Sequence, residues 1–149
     1  MEGDFFMFGL ICSIFAGIFM SLQGVFNTRL SEKVGLWETN MLVQGIGFAL
    51  TLAIMLFVGK GDIRNLSSTN KLYLLGGPLG AAIIFTVMCG ISKLGPAYAI
   101  SAILIAQLLS AALIEAFGLF GSDKCNFGIN KILGVIIMLV GIVVFKLKR

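Results

Sequence analysis

The sequence predicts an all-α integral membrane protein with five transmembrane helices in a single domain over residues 1–149. Three observations carry that expectation. Of the residues 58% are hydrophobic and only 12% charged, where a soluble domain carries about a quarter charged residues. Mean hydropathy is +1.04. The apolar residues also fall in runs of the length that a hydrocarbon core of about 30 Å asks of a helix, roughly 20 residues.

Four such runs are plain, at residues 5–27, 39–58, 72–91 and 97–120. A fifth covers 127–147, although its unbroken apolar centre is only Ile132 to Phe145, flanked by Lys131 and Lys146. Their long stems suit snorkelling to the two interfaces, so this run is also read as spanning. Trp37, Tyr73 and Tyr98 each stand at the start of a run, the headgroup level that amphipathic rings favour. The N-terminal MEGDFF is acidic, unlike the basic opening of a signal peptide, so the first run is expected to be retained.

Composition also excludes functions. The formal charge is +4, but the basic residues are scattered singly between apolar runs or gathered in the terminal KLKR. That pattern is membrane flanking and not a nucleic-acid surface. The sequence has no histidine, which rules out a His-ligated metal or a Ser-His triad. Cys12, Cys89 and Cys125 form no framework. No enzyme activity, cofactor or metal is expected.

Orientation in the bilayer follows the Lys/Arg difference between its two sides. Five spans place Lys60, Arg64, Lys71, Lys124 and Lys131 on the N-terminal side. Arg29, Lys33, Lys93, Lys146, Lys148 and Arg149 fall on the other. Five against six is no instruction, which points to dual topology: copies inserted both ways and paired as an antiparallel homodimer. Fixed orientation by other factors is the alternative. Were the fifth run not to cross, the last three cations would change sides.

Polar and small residues then mark candidate positions. Helices in lipid associate through close packing of small residues, and three stripes qualify: Ser13, Gly17, Ser21 and Gly24; Ala99, Ala102, Ala106 and Ser110; Gly134 and Gly141. The first two suit packing within the chain, and the last, on the terminal helix, suits the dimer seam. The third run opens GGPLG, where Pro78 removes a backbone donor and Gly76, Gly77 and Gly80 permit close approach. This is read as a kink, either lining a transport site or passive. Pro96 fits the first turn of the fourth helix.

Amides come in pairs one turn apart, Gln23 with Asn27 and Asn40 with Gln44. On antiparallel spans all four share one side of the membrane, as a clamp between helices or as a cavity lining. In AQLLSAALIEAFG, Gln107 falls near the middle of the fourth span, and Glu115 about 10 Å from it. An inverted partner would bring its amides to the level of Glu115. An ionisable group there is a functional candidate; the alternative is a carboxylate reaching the headgroups past Phe120 and Gly121.

QGVFNTRL followed by Gly35, then AQLLSAALIEAFGLFG and a glycine-spaced last helix, resembles the YdcZ-like family of small bacterial inner-membrane proteins. That family is related to the drug/metabolite transporter superfamily, with EamA-like half-units and the small multidrug exporters as distant relatives. The matching positions are Gln23, Asn27, Leu30, Gln107, Glu115, Phe117, Gly118 and Gly121. The resemblance implies a five-helix half of a ten-helix transporter, working as an inverted dimer or fused pair. Two positions depart from the pattern: Glu115 replaces the usual aspartate, and Gln44 stands where a serine is expected. The first helix also lacks the essential acid of the multidrug exporters, so proton-coupled drug antiport does not carry over.

The functional expectation is a transporter subunit moving a small molecule by alternating access about a midplane site. Gln107 and Ser110 would line it, Gln23, Asn27 and Gln44 would give hydrogen bonds, and Glu115 would bind a cation or exchange a proton. Gly77, Pro78 and Gly80 would form the bend. Two alternatives are a passive pore or lipid-translocating groove and a non-transporting assembly subunit. The expected partners are an inverted copy, the lipid bilayer and an unidentified small molecule.

Overall fold

The computed structural model describes residues 2–124 and 128–146. Every regular element among them is helical: α1 (Glu2–Val34), α2 (Leu36–Val58), α3 (Gly76–Leu94), α4 (Pro96–Phe117) and α5 (Ile129–Lys146). Short 3-10 turns occupy Ile63–Ser68, Lys71–Leu75 and Leu119–Gly121. The chain divides into two compact units, Met1–Ser92 and Lys93–Arg149.

Four helical segments are long and apolar enough to cross a membrane: Gly3–Val34, Leu36–Val58, Lys71–Leu94 and Pro96–Phe117. The predicted fifth run is also a helix: α5 has 18 residues, about 27 Å at 1.5 Å per residue against a core of about 30 Å, and Leu133–Val144 is its apolar part among the described residues. Phe127 and Leu147, its expected ends, and Cys125 lie outside the described residues.

In the first unit, α1 runs seven residues past its expected end at Asn27. Nothing in TRLSEKV breaks a helix before Gly35, and Arg29 pairs with Glu32 at 3.2 Å across one turn. Hydropathy ended the predicted span where polarity began, but polarity does not end a helix. Gly35 does: with φ of 103° it takes a conformation that an L side chain adopts only under strain, and α2 starts at the next residue. The Glu38 carboxylate folds back over this turn, into the space a Cβ on Gly35 would occupy.

α1 and α2 pack together as this hairpin. At Gly24 the approach to α3 is closest, since a Cβ there would lie 2.9 Å from Ile91 Cδ1 and 3.1 Å from Val87 Cγ1. Met88 and Ile91 of α3 are buried. The rest of the first stripe does not pack this way: a Cβ on Gly17 would meet nothing, and the Ser13 and Ser21 hydroxyls donate to their own helix at Gly9 and Gly17. All of residues 3–20 and 45–58 are exposed.

Pro78 falls in the first turn of α3. The change from 3-10 to α geometry falls at Leu75 and Gly76, and Pro78 is the third residue of a helix that continues unbroken to Leu94. A missing N–H costs little in a first turn, whose donors lack partners within the helix anyway.

In the second unit, α4 packs with α5. Pro96 occupies the first turn of α4 as expected. Ile105 and Ala112, two turns apart, are buried with Ala99, whereas Ala102, Ala106 and Ser110 of the predicted stripe are exposed. α4 stops at Phe117, three residues short of the predicted 120, because Gly118 adopts the left-handed conformation that closes helices. Phe120 is left-handed too, with φ of 57°.

A buried polar cluster and the candidate solute pathway

The buried polar side chains among the described residues come from two segments flanking the α1–α2 turn: Asn27 and Thr28 before it, Thr39 and Asn40 after it. Their position follows from the hairpin. Gly35 reverses the chain in one residue, so the last turns of α1 and the first of α2 pack where the sequence is still polar. Thr28 satisfies its hydroxyl within α1 by donating to Gly24 O at 2.7 Å.

Asn40 reaches out of α2. Its Nδ2 donates to the backbone carbonyl of Ala81 in α3 at 2.8 Å, a bond between elements 41 residues apart in sequence. Oδ1 is buried and has no hydrogen-bond partner, and neither has Thr39 Oγ1. Thr39 is unusual here, because Ser13, Ser21, Thr28, Thr51, Thr86 and Ser101 all donate to the carbonyl four residues back. Gly35 O, the corresponding acceptor for Thr39, takes only its backbone N–H, at 3.1 Å. An orphaned buried polar group costs about 1–3 kcal/mol.

The same stripe of α2 faces the glycine-rich start of α3. Trp37 stacks on Phe85 with ring centroids 4.6 Å apart, Asn40 meets Ala81, and Gln44 Oε1 lies 3.9 Å from where a Cβ on Gly80 would be. Trp37, Asn40 and Gln44 are spaced three and four apart, one face of a helix. Of GGPLG only Gly80 lies beside an α2 amide; a Cβ on Gly76 or Gly77 would meet nothing within 4 Å.

The structure splits the predicted amide quartet. Asn27 and Asn40 are buried, while Gln23 and Gln44 are exposed. Asn40 bonds α3 and not α1, and among the described residues no hydrogen bond joins the quartet across the α1–α2 hairpin. On α4, Gln107, Ser110 and Glu115 are all exposed. Glu115 lies in the last turn of α4, two residues before its end; the predicted span had put it five residues inside. The end is closed by Gly118 N donating to Glu115 O at 3.3 Å, and by Ser122 Oγ donating to Leu119 O at 2.8 Å and Ile114 O at 3.3 Å. Around Gly134 and Gly141 a Cβ would find no atom within 4 Å among the described residues.

Thr39 is the residue that sequence reasoning missed. It opens an apolar run, and the signal that could find it is a hydroxyl and an amide side by side one turn after a helix-starting glycine. Among the described residues no group of three His, Cys, Asp or Glu side chains is placed to hold a metal.

No curated protein and no solved structure matches the chain. A family model described as "Putative inner membrane exporter, YdcZ" matches residues 8–144, nearly its whole length and including the hairpin, the polar cluster and α4. Together with several membrane-length apolar helices, this makes the chain a multi-pass inner-membrane protein that belongs to the YdcZ exporter family.

Proposed function

We propose that the chain is one half of an alternating-access transporter that moves a small molecule through an antiparallel homodimer, and that Thr39 and Asn40 form a solute contact on its path. The observation that carries this reading is the pair of buried, unpartnered oxygens, Thr39 Oγ1 and Asn40 Oδ1. Inside a membrane-spanning hairpin a polar group without a partner is retained at a cost to stability, and such groups mark ion and substrate pathways. Gly80 and the Asn40–Ala81 bond hold α2 against α3 and fix the amide so that its oxygen stays free. Five crossings and the inverted partner belong to the same proposal and rest on the near balance of five and six cations across the membrane.

The test is a cysteine-free chain carrying a single Ser68→Cys in the α2–α3 connection, labelled in intact cells with a membrane-impermeant maleimide. About half of the chains labelled, rising to all on permeabilisation, is the expected result. Labelling of all chains or of none on intact cells would overturn the inverted pairing. Transport is tested in liposomes by saturable counterflow of solutes found to raise the melting temperature of the purified protein. Flux that neither saturates nor shows counterflow would favour a passive groove.

A further inference from the structure

We infer that the connection between α2 and α3, residues 59–75, is a docking surface for the headgroups of anionic phospholipids. Past Gly59, whose N–H donates to Met55 O of α2, it is ordered by local hydrogen bonds. Asp62 Oδ1 accepts from Arg64 N at 2.9 Å, and Asn70 Oδ1 accepts from Leu72 N at 3.0 Å, each starting a 3-10 turn. The hydroxyls of Ser67, Ser68 and Thr69 turn back onto the carbonyls of Arg64 and Asn65. Not one residue of the connection is buried.

Yet the segment is not polar throughout. Ile63 is 75% exposed, Leu66 and Leu72 47% each, and Tyr73 57%. A structured, fully exposed connection holding apolar side chains needs a cover, and its place in the chain supplies one. It joins the end of one membrane-length helix, Val58, to the start of the next segment, Lys71, so both ends emerge at the same bilayer surface. Tyr73 then stands at headgroup depth, and the leucines and Ile63 have the acyl boundary beneath them.

Charge selects the lipid. Lys60, Arg64 and Lys71 are the cations of residues 60–71, against Asp62 alone. None of the three pairs with a carboxylate among the described residues, and the Asp62 carboxylate is engaged by the backbone of Arg64. Lys60 and Lys71 flank the helix ends while Arg64 lies between them, a spread that suits separate headgroups better than one multivalent anion. Each basic residue near an anionic surface raises affinity about fivefold.

The experiment compares amide hydrogen exchange of residues 63–75 in the full-length protein, in nanodiscs of phosphatidylglycerol and of phosphatidylcholine. Slowing of about tenfold or more in phosphatidylglycerol, removed by high salt, is expected from three such contacts. Lys60→Gln/Arg64→Gln/Lys71→Gln should bring exchange in phosphatidylglycerol close to that in phosphatidylcholine, with protection of Leu36–Val58 unchanged as a control for folding. Arg64→Gln alone should remove part of the difference, and serves if the triple variant fails that control. Equal exchange in the two lipids, or a difference that the variants leave intact, would overturn the inference. So would equal slowing by inorganic phosphate added to phosphatidylcholine nanodiscs, which would mark a soluble-anion site.

Discussion

Replacing Asn40 separates the two roles its amide plays. In Asn40→Leu the hydrogen bond to Ala81 O is lost, which costs about 0.6 kcal/mol for a typical bond between membrane helices. The Ala81 carbonyl lies inside α3 and keeps its helical acceptor role. The variant also removes Oδ1, an orphaned buried acceptor whose burial costs about 1–3 kcal/mol. The balance favours the variant, by roughly 0.5–2 kcal/mol. Asn40→Asp has nearly the same shape and the opposite result. It deletes the Nδ2 donor, sets a carboxylate oxygen against the Ala81 carbonyl 2.8 Å from the former nitrogen, and places an acid where the side chain is almost fully buried. An unpaired carboxylate buried there by the fold is expected to destabilise by about 3 kcal/mol.

The assay is reversible unfolding in mixed micelles, with the fluorescence of Trp37 as the probe. Trp37 is the single tryptophan and stacks on Phe85 one turn from the Asn40–Ala81 bond. Asn40→Leu should unfold at higher denaturant than the parent, and Asn40→Asp well below it. A loss of more than about 2 kcal/mol in Asn40→Leu would refute the reasoning, because it would mean that Oδ1 has a strong partner in the folded chain.

Other perturbations read other parts of the molecule. If Thr39 and Asn40 contact solute, Thr39→Val and Asn40→Leu both lower saturable flux in liposomes while the folded fraction stays at or above the parent's. Gly35→Ala forces a side chain into a φ of 103° and against the Glu38 carboxylate, and should destabilise the hairpin by about 1–2 kcal/mol in the same micelle assay. Gly134→Ala and Gly141→Ala meet no neighbour among the described residues, so each should stabilise the isolated chain by up to about 1 kcal/mol; if they form the dimer seam, the same variants lower the crosslinked dimer fraction. Phe120→Gly relieves a left-handed φ of 57° and should raise stability by about 1 kcal/mol.

Legibility in the sequence followed the physics that each feature obeys. The helices were readable because lipid demands long apolar runs, and α2 (Leu36–Val58) began only three residues before the predicted 39. The apolar run stops at Asn27 and α1 at Val34, because hydropathy measures where lipid stops, whereas backbone hydrogen bonding continues until Gly35 interrupts it. GGPLG reads as a bend because proline and glycine weaken helices, but at the third residue of α3 the missing N–H of Pro78 costs little. The amides were noticed as pairs along each helix, and their partners were not, because Asn40 bonds a carbonyl 41 positions away. Periodicity names the face of a helix, but not what arrives to meet it.

Glu115 shows how three residues at a helix end change the meaning of a charge. With α4 centred in the bilayer, Gln107 lies at the midplane and Glu115 about 13 Å from it. The hydrocarbon edge is about 15 Å away, so the carboxylate needs to reach only about 2 Å, well within its side chain's length. Gly118 sets this by ending α4 at Phe117 instead of letting it run to 120. The cost of charge at that depth is then small, and the presence of Glu115 alone no longer calls for chemistry to explain it. The oxygens of Thr39 and Asn40 differ in that respect, since both are buried by the fold and have no partner in it. A role in coupling for Glu115 therefore predicts something its depth does not: Glu115→Gln should abolish the pH dependence of flux in liposomes. A carboxylate that only reaches the headgroups would leave that dependence as it was.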